Sequence, residues 1–230
     1  MATLVFLGRG LNEAGWAPLE AIAAAHSHFC TVVARHEDVP ATPDLGMLLG
    51  YERIVPEDVL RLPRLGFVLF HSSDLPRGRG WAPIYYTMTQ RLPLVQTLLF
   101  AAPGVDEGNL IAKAHYPLAG SETEREVRRI DDALTLRLFE DSLAPLLAGK
   151  VSGKPQDSKD ATWWPRRRPE DSAVDPARPL CDLVDHLRAL PAAAPAFFQY
   201  GGRRFRIRLE AEDECAAPPD PGRIRIERFY

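Results

Sequence analysis

The opening segment restricts the fold more than anything that follows it. Residues 3–7 form a short apolar run closed by Gly8-Arg9-Gly10. Residues 15–28 are alanine-rich, with Leu19, Ile22 and Ala23 at helical spacing, and residues 29–34 are apolar and β-branched. A strand, a helix and a strand within about 30 residues make a βαβ unit, which demands a parallel sheet with helices on its faces. The pattern continues with strands predicted over 45–49 and 66–70, the latter running directly into His71, and over 94–100 and 110–115. A one-turn helix over 56–60 carries its proline and acids at the positive end of the helix dipole. Ser121 with Glu124 three residues on reads as a capping box. It opens a long helix with the stripe Val127, Ile130, Leu134 and Leu138, ending near residue 147.

Composition shifts after Gly149. Residues 150–159 are polar, with Gly153 and Pro155, and read as a linker. The division expected is therefore 1–150 and 151–230, the second part a small α+β appendage with a helix over 180–190. Strand-like runs follow over 203–209 and 223–229, each alternating basic and apolar residues, with a turn over 216–222. These two runs would pair as a hairpin, serving either to pack a homodimer or inside the chain.

A formal charge of −3 argues against a general nucleic-acid or membrane-surface binder. No stretch approaches the ~20 apolar residues of a membrane span, and the first eight residues are too short and uncharged for a secretory signal, so the cytoplasm is the expected location. Cys30, Cys181 and Cys215 lie far apart and fit no metal-ligand spacing; they read as buried thiols, and no metal site is expected.

Two stretches carry chemistry. Gly8-Arg9-Gly10 invites a dinucleotide reading, but the third glycine of that fingerprint is replaced by Glu13, an acid where a pyrophosphate would sit. The richer stretch is His71-Ser-Ser-Asp-Leu-Pro-Arg-Gly-Arg-Gly-Trp-Ala-Pro83. It places a histidine, the usual proton carrier, at the carboxyl end of a strand, where sites of open α/β sheets lie. Its glycine-rich loop lets backbone approach a ligand. Farther along, Val105-Asp-Glu-Gly108 supplies an Asp in a tight loop that can orient an imidazole.

Together these residues resemble the 10-formyltetrahydrofolate-dependent formyltransferases: His-x-Ser-x-Leu-Pro, a Gly- and Pro-rich loop, then Asp-x-Gly. The resemblance spans roughly residues 40–210. It includes Gln156-Asp157, Ala161-Thr-Trp-Trp-Pro-Arg166, Arg168-Pro-Glu-Asp-Ser172 and Leu187-Arg-Ala-Leu190 with Pro195-Ala-Phe-Phe198. The form of the histidine loop looks most like sugar N-formyltransferases and less like methionyl-tRNA formyltransferase, for which the C-terminal part is also short. The fold so implied is a Rossmann-like open, mostly parallel sheet with helices on both faces.

The resemblance further implies acyl transfer from 10-formyltetrahydrofolate to an amine through a tetrahedral oxyanion. His71 would move protons and Asp106 would hold its imidazole. The folate would lie beside Leu75, Pro76, Gly78, Gly80, Trp81, Pro83, Val105 and Gly108, with Tyr51 and Ile54 as further wall candidates. Ser72, Ser73, Tyr85 and Arg166 are candidates for the acceptor, a small-molecule amine and best a nucleotide-linked amino sugar, rather than nucleic acid. Trp163, Trp164, Tyr86, Arg167 and Arg168 are alternatives there. The family's oxyanion-binding Asn, two positions before the histidine, is Leu69 here, and the chain's only asparagines are Asn12 and Asn109. Ser72, Ser73 or a backbone N–H would have to replace it. Formylation of an amino-acid or carrier-bound amine, formyltetrahydrofolate hydrolysis and a non-catalytic folate-binding module are the competing readings.

Overall fold

A computed structural model describes residues 1–213 and 219–230. Seven strands form the main sheet, in the order β11-β7-β6-β4-β3-β1-β2. Strands β1 (Thr3–Gly8), β2 (Phe29–Val33), β3 (Leu45–Leu49) and β4 (Phe67–His71) run parallel, with Leu4 opposite both Cys30 and Leu45, and Met47 opposite Val68. β1, β3 and β4 are the continuously apolar runs that a sheet buried on both faces requires, while β2, at the sheet edge, is largely exposed. The sheet then changes sense. β6 (Leu94–Phe100) is antiparallel to β4, β7 (Leu110–Tyr116) to β6, and β11 (Arg225–Arg228) to β7. The sheet is thus a parallel core with an antiparallel flank, because the chain leaving β4 returns from the same end instead of crossing over.

The two faces are covered unequally. α1 (Ala17–Ala25), α3 (Pro83–Thr89) and α4 (Glu124–Leu147) bury one face, where Phe6, Met47, Val68 and Leu98 meet Leu19, Met88, Val127, Leu134 and Leu138. Among the described residues, the other face carries the single turn α2 (Glu57–Leu60) and loops, with Val5, Leu7, Val33, Val55, Leu60 and Phe67 beneath. No helix among the described residues is long and apolar enough to cross a membrane.

Several expectations are corrected. The cap of α4 is Thr123 with Glu126, not Ser121 with Glu124: the Thr123 side chain accepts from the Glu126 N–H and the Glu126 carboxylate accepts from the Thr123 N–H. Both spacings satisfy the box pattern, and Glu124 instead pairs with Arg128 inside the first turn. Runs 203–209 and 223–229 do not pair with each other. β10 (Arg203–Ile207) forms a hairpin with β9 (Ala196–Tyr200), while β11 extends the main sheet. The expected turn over 216–222 falls partly on residues 214–218, outside the described ones, as does Cys215. Cys30 is half-buried, and burial pushes its thiol up to about 11; Cys181 is exposed, not buried.

The tail does not stand apart. α5 (Leu180–Arg188) and the β9–β10 hairpin share a small core of Leu183, Leu187, Leu190, Ala196 and Ile207, which reaches Tyr85 of α3. Segment 150–159 lies against the sheet edge, where Lys154 exchanges backbone hydrogen bonds with Leu110. β8 (Trp163–Trp164) pairs with the two-residue strand β5 (Arg79–Gly80) within the histidine loop.

Candidate active site

β4 ends at His71, which is 8% exposed. Its ring is held on two sides. The Nε2–H donates to the Gly78 carbonyl at 2.8 Å, and because a carbonyl only accepts, this fixes the proton on Nε2. Nδ1 then faces the Asp106 carboxylate, 3.5 Å from Oδ2. That oxygen is itself anchored by the Gly80 N–H at 2.9 Å. One loop, residues 72–82, therefore supplies both the acceptor for the ring and the donor for its carboxylate.

Loop closure rests on buried polar ties. Ser73 Oγ donates to the Arg77 carbonyl, Thr97 Oγ1 donates to the Ser73 carbonyl, and Lys113 Nζ reaches Asp74 and the Leu75 carbonyl. The Leu75–Pro76 peptide is cis, and Leu75 is fully buried. Trp164 stacks on Tyr86 at 5.4 Å, and its backbone carbonyl takes the Trp81 N–H.

Asp106 sits in the left-handed region at φ +54°, a conformation that surrounding contacts must hold. Gln156 does so from the segment read as a linker: its Nε2 donates to the carbonyls of Asp106 and Gly108, both at 2.8 Å. Gln156 Oε1 in turn accepts from Arg79, which is 3% exposed and also pairs with Glu107. Gly108 is required by packing, since a Cβ there would lie 1.7 Å from the Phe100 carbonyl oxygen.

His71, Ser72, Gly80, Trp81, Pro83, Tyr85, Val105 and Asp106 line one cleft of about 930 Å³, with Tyr51, Ile54 and Leu69. Leu75, Pro76, Gly78, Gly108 and Ser73 do not line it; they shape the loops behind it. Arg166 also lies outside the lining, its guanidinium 4.5 Å over the Trp81 ring, whereas Arg167 lines the cleft, 3.8 Å over Tyr85. Tyr85 shares a hydrogen bond with His186 Nδ1 at 2.8 Å, and burial raises its phenol.

The opposite wall was not foreseen. It brings together Arg9, Asn12, Arg128, Asp131 and Asp132. Asp132 accepts from the Asn12 backbone and side-chain nitrogens, and Arg128 bonds Asn12 Oδ1 and Glu124. Ser72 Oγ donates to Asp131 Oδ2 at 3.0 Å. Burial pushes the Asp131 carboxyl up to about 7, and burial likewise raises that of Asp132. A sequence signal existed: Asp131 falls four after Val127 and three before Leu134, on the helix's apolar stripe.

The two serines expected to replace the missing Asn, and the chain's two asparagines, are committed elsewhere, which leaves a backbone N–H as the remaining candidate. Ser72 serves Asp131, Ser73 serves the Arg77 carbonyl, Asn12 serves Asp132, and Asn109 turns away to the Ser152 carbonyl. Leu69 presents an apolar side chain to the cleft two residues before His71.

Residues 30–134 match a family described as Formyl transferase. The methionyl-tRNA formyltransferase of Koribacter versatilis is 32% identical over 187 residues, covering 80% of this chain and 59% of that protein. The chain thus spans about three fifths of the length of the curated relatives it matches. Among solved structures, a sugar N-formyltransferase from Shewanella sp. superimposes with a TM-score of 0.77 at 16% identity, over 92% of this chain and 98% of that one. The formyltransferase PseJ from Anoxybacillus kamchatkensis, in complex with UDP-4,6-dideoxy-4-formamido-L-AltNAc and tetrahydrofolate, gives a TM-score of 0.62 at 18% identity, over 74% and 88% of the two chains. The sequence match places residues 30–134 in the formyl transferase family, and the solved structures share the fold.

Proposed function

We propose that this chain transfers a formyl group from 10-formyltetrahydrofolate to a primary amine of a small molecule, best a nucleotide-linked amino sugar. The observation that carries the reading is the His71–Asp106 pair lining the cleft, with Nδ1 3.5 Å from the Asp106 carboxylate and Nε2 already spent on the Gly78 carbonyl. An amine attacking a formyl carbon must shed a proton, and the departing nitrogen must gain one. Nδ1 is the ring atom available for both moves, and the Asp106 carboxylate accepts the Nδ1–H formed when the ring takes the proton. A cleft of this size accommodates a drug-sized donor beside an acceptor. Its Trp81, Tyr51 and Ile54 side offers flat apolar surface for the donor's ring system. The donor assignment is also supported by the tetrahydrofolate bound in the Anoxybacillus relative, and the sugar assignment by that protein's second ligand.

Leu69 supplies no hydrogen bond to a developing oxyanion, so this site works without the side-chain donor that usually contributes about 10²–10³ in rate. Turnover is expected to be modest.

A second acceptor, methionyl-tRNA, is favoured by the curated relatives and by one surface feature. Arg203, Arg204, Arg206 and Arg208 crowd the β9–β10 hairpin with no ion-pair partner among the described residues, beside exposed Tyr200 and Phe205. This hairpin is equally suited to pairing with a second copy of the chain.

The test is tetrahydrofolate release from 10-formyltetrahydrofolate with amino-sugar nucleotides, simple amines, methionyl-tRNA and no acceptor. Release that depends on an amino-sugar nucleotide is the expected result. Release only with methionyl-tRNA moves the acceptor to the second reading, and release with water alone makes the protein a hydrolase. Folate binding without any release leaves a binding module.

A further inference from the structure

The histidine loop and the aspartate turn meet at one residue that the proton chemistry does not use. Arg79 is 3% exposed. Its Nη1 donates to Glu107 Oε1 at 3.2 Å and its Nη2 to Gln156 Oε1 at 2.9 Å. Glu107 follows Asp106 directly, and Gln156 Nε2 donates to the carbonyls of Asp106 and Gly108. The two arms therefore hold the Asp106 turn, strained at φ +54°, through two separate neighbours. The backbone of Arg79 serves the other partner. Its N–H and the Gly78 carbonyl are the two poles of one peptide group. The carbonyl accepts from His71 Nε2 at 2.8 Å, and the N–H donates to the Thr162 carbonyl at 2.9 Å. Bonds at both poles polarise each other and keep the carbonyl aimed at the ring. The next N–H, that of Gly80, donates to Asp106 Oδ2. Stability does not account for this arrangement. Burying a guanidinium costs more than burying an apolar side chain of its size. Nε finds no partner among the described residues, and Glu107 is half-exposed, so water screens the ion pair.

We propose that Arg79 is the positioning residue that sets the alignment of His71 with Asp106, its side chain tying the aspartate turn to the same peptide that fixes the imidazole. This assignment rests on the transferase reading above and adds to it a residue that does not line the cleft. Without the guanidinium fork, the Asp106 turn keeps its bond from Gly80 but loses the tie that sets its direction. A lysine is no substitute, because a point charge on a flexible stem does not reproduce two fixed, diverging donors.

The experiment compares wild type with Arg79→Met, Arg79→Lys and Glu107→Gln. Two quantities are read: steady-state formyl transfer, and the imidazole nitrogen shifts of His71 in histidine-labelled protein at alkaline pH, assigned with His71→Ala. Wild type should show neutral His71 as the single Nε2–H tautomer. Arg79→Met should mix the two tautomers and lower kcat by about 10–100-fold, while KM for donor and acceptor stays within about threefold. Its melting temperature should stay close to that of wild type, because an apolar side chain replaces a buried charge. Arg79→Lys should recover only part of kcat. Glu107→Gln weakens one half-exposed arm without threatening the fold, and should lower kcat by about threefold at unchanged KM; it decides the matter if Arg79→Met does not fold. A purely structural Arg79 would lower the melting temperature while the folded variants keep the single tautomer and full kcat, which overturns the proposal. A wild-type His71 already divided between tautomers overturns it as well. The nitrogen shifts need no turnover. A single tautomer that is lost in Arg79→Met, beside no formyl transfer to any acceptor, therefore sinks the transferase reading while the alignment by Arg79 stands.

Discussion

The two walls of the cleft are built by different means. On the His71 side the functional atoms are held by backbone: the Gly78 carbonyl, the Gly80 N–H, and the Asp106 turn pinned by Gln156. On the α4 side they are held mainly by side chains, in a chain from Glu124 through Arg128 and Asn12 to Asp132, to which the Asn12 backbone N–H adds a bond, with Asp131 and Ser72 alongside. Backbone geometry tolerates little substitution and suits a group whose aim decides the chemistry. Side-chain networks can be rewired by single substitutions, which suits the part of a site that chooses among acceptors.

The sharpest way to break this comparison is at the histidine. His71→Ala should lower kcat by about 10²–10⁴ while the donor dissociation constant stays within about threefold; steady-state kinetics beside calorimetry decide it, and full activity would remove the proposed mechanism. Leu69→Asn restores the absent side-chain donor and should raise kcat by about tenfold or more, with thermal melting reporting the cost of placing an amide among Val5, Leu7 and Phe67 neighbours. No gain would show that a backbone group already performs that task. Gln156→Ala removes two hydrogen bonds from the Asp106 turn and should cost about tenfold in kcat, with a smaller effect on acceptor KM. Equal losses in kcat and acceptor affinity would mean that the two walls are mechanically coupled. Gly108→Ala forces a Cβ against the Phe100 carbonyl and should lower stability by about 1–3 kcal/mol in denaturant unfolding.

The smallest effect is a pH signature of the side-chain wall. Burial raises the Asp131 carboxyl to about 7, well above its unfolded value, so the folded state holds that proton more tightly. The associated stabilisation is fully present below about pH 4 and is lost as pH rises through about 7. Asp131→Asn should flatten this part of the profile in urea melts taken across pH 4 to 8. An unchanged slope would assign the pH dependence to other groups.

Legibility in the sequence followed locality. His71 and Asp106 could be read because strand-end and turn chemistry lie within a few residues of each. Gln156 reads as linker, since nothing local shows that Pro155 delivers the next side chain to a turn fifty positions earlier. The motif groups Leu75, Pro76, Gly78 and Gly108 with Trp81 and Asp106, and it does not separate residues that line the cleft from those that shape its loops. Arg166 and Arg167 differ only in which way the chain turns after β8, and that turn is set by pairing with β5. The pairing of the last strand with β7 rather than β10 was equally hidden, because alternating basic and apolar residues suit either edge.

The sequence alone determined the parallel start of the sheet, the long helix after it, the histidine at a strand end and the absence of an asparagine two residues before it. These follow from hydrophobic period, turn residues and residue identity, all local quantities. Only the tertiary structure decided that the sheet turns antiparallel after β4, that a linker glutamine supports the Asp106 turn, and that an acid on the stripe of α4 faces a ligand cleft with one oxygen unmet. Those outcomes depend on which distant groups meet in space, and burial, not sequence spacing, sets whether a charge finds a partner.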